Sequence, residues 1–186
     1  MNFNRYITEA EFSELAAFIR REGVVRRFAR GERLSGQGLR SHRCGLVVQG
    51  AFRYVYADAA GEEHVVGYAF AGEFVGDYIS MCVDAPSQVT IGAMCGAEAL
   101  LVPGERPETF YRTDAACERL GRRLAEHMLA EVFERLLERY AASPQQRYEA
   151  LLERCPDLLQ MVSLRELASY LGVRPETLSR IRGRIR

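Results

Sequence analysis

Residues 163–186, SLRELASYLGVRPETLSRIRGRIR, have the pattern of two short helices joined by a tight turn. Ser163 and Glu166 form a capping box at the start of the first helix. Gly172 follows the last apolar position, where a helix commonly ends with a positive φ. Pro175 fits the first turn of the second helix, because its missing N–H needs no partner there. The stretch therefore predicts a helix-turn-helix.

The second of these helices has polar and basic residues on the side away from Leu178 and Ile181. Such a face can enter the major groove of DNA, where Arg donates to guanine and Glu accepts from cytosine. The whole chain is formally neutral, with 25 basic and 25 acidic residues, so its basic end is a local feature typical of phosphate contacts. The predicted DNA-binding residues are Arg174, Glu176, Thr177, Ser179, Arg180, Arg182 and Arg184.

The composition is that of a globular protein, with 48% hydrophobic residues. No apolar run reaches membrane length and the N-terminus lacks a signal-peptide pattern, so we expect a cytoplasmic protein without a membrane partner. Five cysteines without a C-x-x-C pair indicate reduced, mostly buried thiols. His42, His64 and His127 are isolated in the sequence, so we expect no local metal site, no catalytic group and no cofactor.

The middle of the chain has the pattern of an antiparallel β structure. A capping box of Thr8 and Glu11 first predicts a helix. Short β-rich runs then alternate with Gly-centred turns, and no helical pattern interrupts them before residue 105. This favours an antiparallel roll or sandwich over a parallel α/β sheet. The predicted strands cover residues 44–48, 51–57, 64–70, 89–95 and 99–103.

A long helix is predicted over residues 114–140, with apolar residues recurring every four positions. This stripe is too wide for a surface helix, so we expect one side to pack on the sheet and the other to pair with a second copy. A helix wholly inside its own domain is the alternative. The residues assigned to the dimer helix are Leu120, Leu124, Met128 and Val132.

These patterns divide the α+β chain into three parts. Residues 1–113 form a β-roll sensor domain, residues 114–142 a dimerisation helix and residues 143–186 a DNA-binding domain. Ser143 caps the first helix of the last part, with Pro144 at its first position. That part is short for independent stability, so we expect it to lean on the long helix or on the dimer.

The arrangement resembles the Crp/Fnr family of bacterial transcription regulators. The most specific similarity is in residues 168–180, which match the family's A-x-x-L-G-x-x-x-E-T-x-S-R signature. The resemblance implies a cyclic nucleotide-binding-like β-roll, a long dimerisation helix and a terminal helix-turn-helix. It also implies that Glu176 and Arg180 read base edges and that a homodimer binds two-fold symmetric double-stranded DNA. RNA polymerase would be a further partner of an activator.

Three features depart from the family pattern at the DNA-binding end. Pro175 stands where many members have a base-reading Arg, and Arg174 stands where a Ser or Thr cap is usual. The sequence ends at Arg186 without room for a full β-hairpin wing. We therefore expect an altered site preference and no backbone contacts from a wing.

The sensor half departs further from the family pattern. Residues 70–77 resemble the turn before the family's phosphate-binding segment, but Asp77 replaces the ribose-binding Glu, and residues 87–88 are Ser-Gln instead of Arg-Ser. Losing that Arg removes a charge-assisted contact worth about 1.5–3 kcal/mol. Glu131 and Val132 offer no evident contact to a base. We expect no cyclic AMP binding, and assign an effector pocket to Gly72, Glu73, Asp77, Ser87 and Gln88.

The leading interpretation is a dimeric transcription regulator whose input is not a standard cyclic nucleotide. One alternative is a cyclic nucleotide receptor with a rewired pocket. An enzyme on a cupin-like roll would need His-x-His with further ligands, which the chain lacks. A ligand-binding or scaffold module without DNA binding is the other alternative, and its arginine-rich end would then need an acidic protein partner.

Overall fold

The computed structural model describes residues 3–4, 7–40, 43–103 and 105–185, so His42 and Arg186 lie outside the described residues. The strands are β1 Val24–Phe28, β2 Arg33–Ser35, β3 Arg43–Gln49, β4 Ala51–Ala57, β5 Glu63–Phe70, β6 Phe74–Gly76, β7 Thr90–Ala93 and β8 Ala97–Pro103. The helices are α1 Ser13–Glu22, α2 Tyr78–Cys82, α3 Glu105–Tyr111, α4 Ala115–Ala141, α5 Pro144–Arg154, α6 Leu158–Met161, α7 Leu164–Leu171 and α8 Pro175–Ile185.

The strands form two four-stranded sheets, in the orders β1-β8-β3-β6 and β2-β7-β4-β5, and every described pairing is antiparallel. Alternate residues of the two sheets meet in one apolar core, because successive side chains of a strand point to opposite faces. The α+β class and the antiparallel roll predicted from the sequence are confirmed. Core members from both sheets include Phe28, Val47, Phe52, Val75, Ile91 and Ala99.

Two local predictions in this half are wrong. The run of strands is interrupted before residue 105 by α2, a five-residue helix whose N-terminus is capped by Asp77. Helix α1 begins at Ser13 and not directly after Thr8. The Thr8 hydroxyl does accept a hydrogen bond from the Glu11 N–H at 3.2 Å, but this bond closes the turn before the helix.

None of the five cysteines, all of which lie in the described residues, forms a disulfide, and most of them are not buried. Cys155 alone is fully buried, Cys44 and Cys117 are half-buried, and Cys82 and Cys95 are exposed. The expectation of mostly buried thiols is therefore wrong. Within the part of the chain that the structure describes, every helix is too short or too polar to span a bilayer.

The two halves of α4 have different surroundings. Leu120 and Leu124 in the first half are buried against α1 and the β-roll, in a cluster with Phe12 and Leu15. They belong to the chain's own core, which corrects their assignment to a partner-facing stripe. Met128 is half-buried beside the same cluster. The second half of α4 exposes large apolar side chains, which are Leu129, Val132, Phe133, Leu136, Leu137 and Tyr140.

The C-terminal helices pack on the outside of the β-roll. One cluster of buried residues combines Val65 and Tyr68 of β5 with Leu167 of α7 and Leu178 of α8. Phe3, with no exposed surface, lies in the same cluster. The helix-turn-helix therefore packs directly on the sheet. The sequence predicts support from α4 or from a dimer, but it does not predict this contact.

Candidate nucleic-acid interface and ligand cavity

The turn between α7 and α8 has the geometry that its sequence predicts. The Ser163 hydroxyl accepts from the Glu166 N–H at 3.2 Å, and the Glu166 carboxylate accepts from the Ser163 N–H at 3.1 Å. Gly172 is left-handed, with φ 65° and ψ 40°, and ends α7. Helix α8 begins at Pro175. The capping box, the glycine stop and the proline start are all confirmed.

Helix α8 buries one side and exposes the other. Leu178 and Ile181 are buried, as predicted, against the hydrophobic cluster of α7 and β5. Glu176, Arg180 and Arg184 recur every four residues and are exposed, so they form one outward stripe. Among the other predicted DNA-binding residues, Arg174 and Ser179 are exposed, whereas Thr177 and Arg182 are half-buried.

The arginines of this surface have no ion-pair partner in the part of the chain that the structure describes. Within residues 3–4, 7–40, 43–103 and 105–185, no side chain forms an ion pair or hydrogen bond with Arg174, Arg180, Arg182 or Arg184. Their guanidinium groups are therefore available to phosphate oxygens or base edges, which they can bind with two parallel N–H donors.

Two polar contacts hold α7 against the sheet. The Val65 N–H of β5, which is an edge strand, donates to the Ser169 hydroxyl at 2.9 Å. The Arg53 guanidinium of β4 donates to the Glu166 carboxylate at 2.6 Å. Glu166 thus caps α7 and anchors it to the roll at the same time. No local sequence signal identifies Arg53 or Ser169 for this role, because the contacts join residues more than 100 positions apart.

Two of the five residues assigned to the effector pocket have a structural role instead. Glu73 is buried, and its carboxylate accepts from the N–H groups of Phe3 at 2.6 Å, Asn4 at 3.1 Å and Phe70 at 3.0 Å. Burial raises the pKa of Glu73 above its ordinary value. Gly72 is exposed and takes a φ of 85° in the same turn. Glu73 therefore ties the N-terminal segment to the roll.

The other three assigned residues also lie away from a cavity. One carboxylate oxygen of Asp77 accepts from the Ser80 N–H at 3.2 Å, and the other accepts from the Ser87 hydroxyl at 2.6 Å. Gln88 is exposed. None of the five residues assigned to the pocket is among the described residues that line the cavity, so this assignment is corrected.

A cavity of about 580 Å³ lies between the β-roll and α4. Its wall is predominantly apolar and aromatic, because α1, β4, β6, α2, α3 and α4 all turn large side chains towards it. Sequence patterns did not identify it, since the lining residues come from distant parts of the chain. Representative lining residues are Tyr54, Phe74, Tyr78, Tyr111, Leu124 and Met128.

A partly buried ion pair contributes to the polar part of this wall. Glu131 is 6% exposed, and its carboxylate accepts from the Arg135 guanidinium at 2.6 Å. A second nitrogen of Arg135 donates to the Val66 carbonyl at 3.1 Å. Arg135 is the one basic residue among the described residues that line the cavity. The positive charge of the wall is therefore neutralised by its neighbour on the same helix.

Arg135 also contacts the helix-turn-helix. Its guanidinium carbon lies 5.5 Å from the centre of the Phe3 ring and 5.4 Å from the centre of the Tyr170 ring of α7. Both distances are within the range of cation–π attraction. The same side chain therefore borders the cavity on one side and packs against the helix-turn-helix on the other.

His64 is less isolated than its sequence position indicates. The β4–β5 hairpin brings potential ligand atoms of Asp58, Glu62 and His64 within 4.8 Å of one another. The His64 ring lies 2.9 Å from the Asp58 carboxylate, and this hydrogen bond holds the pKa of Asp58 below its ordinary value. Asp58 also accepts from the Ala60 and Glu62 N–H groups, so the cluster serves to close the hairpin turn.

Comparisons with known proteins cover both halves of the chain. Residues 25–114 match the family model described as cyclic nucleotide-binding domain. FixK2 from Bradyrhizobium japonicum has a similar structure, with a TM-score of 0.76 and 19% identity over 88% of this chain and 84% of that one. No curated protein sequence matches the chain.

Two further solved structures share the fold. The regulator CLP from Xanthomonas campestris has a TM-score of 0.66 and 17% identity over 95% of this chain and 90% of that one. A protein from Eubacterium rectale, assigned to the Crp/Fnr family of transcriptional regulators, has a TM-score of 0.67 and 15% identity over 89% of this chain and 79% of that one.

Proposed function

We propose that the chain is a transcription regulator of the Crp/Fnr type that binds specific DNA sequences as a homodimer, and the cyclic nucleotide-binding domain match at residues 25–114 and the fold shared with such regulators support this. The observation that carries the proposal is the surface of α8. A helix-turn-helix with confirmed caps presents a stripe of Glu176, Arg180 and Arg184, and its arginines have no partner among the described residues. Direct readout of base edges needs such free donors and acceptors on one helix face.

The second half of α4 supports the homodimer. Its exposed apolar side chains follow one another along about three turns of the helix. Exposed apolar surface of this kind marks interaction sites. A second copy of the same helix is self-complementary to it in a two-fold pair. Such a pair would present two α8 helices, as two-fold symmetric DNA sites require.

The cavity supports an input other than a cyclic nucleotide. Asp77 and Ser87, which stand at the positions of the family's ribose and phosphate contacts, hydrogen-bond to each other at 2.6 Å. The carboxylate of Asp77 also caps α2, and Ser87 supplies no positive charge at the position of the family's phosphate-binding Arg. A phosphate without a cationic partner loses its strongest contact.

The test is a selection from a random duplex library, followed by binding of the selected site across a salt series without added ligand. We expect a two-fold symmetric site, and an affinity that falls steeply with salt because each phosphate contact releases a counterion. If the selection yields no preferred site, repeating it with cell extract separates a missing effector from an incorrect assignment. A shallow salt slope would favour a scaffold that does not bind DNA.

The nucleotide alternative is tested separately by titration calorimetry. Cyclic AMP, cyclic GMP and cyclic di-GMP are the appropriate ligands, since the similar regulator from Xanthomonas responds to cyclic di-GMP. We expect no binding below millimolar concentrations. Micromolar binding of any of the three would replace the proposed input with a cyclic nucleotide held in a rewired pocket.

A further inference from the structure

The arginine in the cavity wall is paired with a carboxylate, whereas the arginines of the proposed DNA-binding surface have no partner among the described residues. This difference bears on which ligands the cavity can bind. The following inference rests on the proposed function, because it treats the cavity as the effector site. Its volume of about 580 Å³ is ample for a drug-sized molecule. Tyr54, Phe74 and Met128 contribute to a wall that favours apolar surface.

The ion pair in the wall sets the preference for ligand charge. Glu131 is almost fully buried and contacts Arg135 at 2.6 Å, so the pair is neutral as a unit. A ligand carrying a negative charge would have to displace Glu131 from the guanidinium and leave a buried carboxylate without its partner. Removing one member of a buried pair is strongly unfavourable.

Two further acidic residues line the cavity. Asp84 and Glu108 are exposed acids, each in an ion pair with an arginine that does not line the cavity. No lining residue among those described offers a positive charge beyond Arg135. The described lining therefore offers an anion no positive charge that is not already paired, whereas a neutral molecule needs no counterion.

We propose that the cavity binds a neutral, largely apolar small molecule, and that Glu131 is the specificity-determining residue that excludes anions by neutralising Arg135. The hydrogen-bonding head group of such a ligand would meet the polar edge formed by the ion pair. The apolar remainder would pack against the aromatic wall.

The test uses the full-length protein and a matched pair of probes. Nile red, a neutral dye whose fluorescence rises in apolar surroundings, is bound first and then displaced by 1-octanol or by octanoate at about pH 8, where the carboxylate is ionised. These competitors share one alkyl chain and differ in charge. We expect octanol to displace the dye at a concentration at least about tenfold lower than octanoate, because a charged group buried without a partner is costly.

Glu131→Gln frees the guanidinium of Arg135, so octanoate should displace the dye at least about tenfold better from this variant than from the wild type. The double variant Glu131→Gln/Arg135→Gln removes both charges and should restore the preference for octanol. Glu126→Gln is the matched control, because Glu126 forms a similar pair with Arg122 on the same helix but is exposed and outside this cavity. It should leave the ratio of the two competitors unchanged.

Several results would overturn the proposal. They are failure of octanol to displace Nile red, equal displacement by octanol and octanoate from the wild type, and an unchanged ratio in a folded Glu131→Gln variant. The wild-type comparison needs no substitution, so it decides the matter even if Glu131→Gln fails to fold. DNA selection and dye displacement are independent measurements, so loss of one does not imply loss of the other.

Discussion

Arginines on the outer face of α8 and in the wall of the cavity differ in whether they have a partner within the protein. On α8, Arg180 and Arg184 are exposed and have no partner among the described residues. In the cavity wall, Arg135 is held by Glu131 at 2.6 Å and by the Val66 carbonyl at 3.1 Å. Free guanidinium groups suit a polyanion, whereas a neutralised one suits an uncharged ligand. The distribution of partners around arginine thus distinguishes the two surfaces better than the number of arginines does.

The two surfaces are linked through a small junction. The Arg135 guanidinium lies over Phe3 and Tyr170, and Phe3 is kept in place by the contact of its N–H with Glu73. A second arginine, Arg154 of α5, lies 5.6 Å from the Phe3 ring centre. A change at the cavity wall would therefore reach α7 through direct contacts, without passing through the sheet.

The largest expected effect concerns the exposed half of α4. Leu136→Asp should abolish dimerisation, because burying a leucine contributes about 1.5–3 kcal/mol and a two-fold interface contains the residue twice. The total loss is roughly 3–6 kcal/mol, which is a rise in the dimer dissociation constant of at least about 100-fold. Analytical ultracentrifugation over a range of concentrations measures this constant.

Leu124→Ala tests the first half of α4, which is buried, for comparison with the exposed second half. Leu124 is buried in the chain's own core, so this variant should lower the free energy of unfolding by about 2–5 kcal/mol. Its dimer dissociation constant should stay unchanged at a temperature where it is folded. If Leu136→Asp still sediments as the wild type does, the exposed stripe is not the dimer interface.

Next in size is the effect of Arg180 on DNA recognition. Arg180→Ala should weaken binding to the selected site by about 1–3 kcal/mol and relax preference at one base pair per half-site. Arg122→Ala is the matched control, because Arg122 is an exposed arginine paired with Glu126 on α4, far from the α8 stripe in sequence. Fluorescence anisotropy with the selected and with random duplexes gives both affinities. Equal weakening on all duplexes would assign Arg180 to phosphate contacts only.

The helix-turn-helix was predictable residue by residue because its signals are local. Ser163, Glu166, Gly172 and Pro175 each act on backbone groups within four residues, so sequence and conformation are directly connected. Five strands of the roll were predictable for the same reason, as alternation is a local property, but β1, β2 and β6 were not predicted. Helix α2 was missed because five residues are too few to show helical periodicity.

The cavity between the β-roll and α4 was not predictable, because no local sequence pattern defines it. The residues proposed for it were chosen by similarity to a turn of the family. In the structure, Glu73, Asp77 and Ser87 instead form hydrogen bonds within that turn and with neighbouring segments. The actual wall is assembled by long-range packing between α1, the roll and α4. For α4, periodicity predicted an apolar stripe correctly but gave no means of dividing it between Leu124 in the core and Leu136 on the surface.

A smaller effect is expected from the cap of α7. Ser163→Ala removes the hydroxyl that accepts from the Glu166 N–H, which should cost about 1 kcal/mol of stability. Ser13→Ala is the matched control, because Ser13 is an exposed serine in the first turn of α1, where Phe12 occupies the cap position. It should change stability by no more than about 0.5 kcal/mol. Urea unfolding of both variants measures the difference, and equal values would show that the cap contributes nothing.

The smallest effects concern two glutamates that join the parts of the protein and should respond to pH in opposite directions. Burial raises the pKa of Glu73 above 4.5, so the folded protein keeps a proton that the unfolded chain loses. Stability contributed by Glu73 therefore falls as pH rises above 4.5. Burial also acts to raise the pKa of Glu166, but hydrogen bonds from Ser163 and Arg53 outweigh it and hold this pKa below 4.5. Stability contributed by Glu166 is therefore lost as pH falls below 4.5.

Urea unfolding at a series of pH values, for the wild type, Glu73→Gln and Glu166→Gln, separates the two contributions. The difference between wild type and Glu73→Gln should decrease as pH rises through the range above 4.5, where unfolded glutamate is ionised. The difference between wild type and Glu166→Gln should be constant there and decrease as the solution becomes more acidic than 4.5. If both differences changed in the same direction with pH, the pKa of Glu73 or of Glu166 would not be shifted in the direction that its contacts predict.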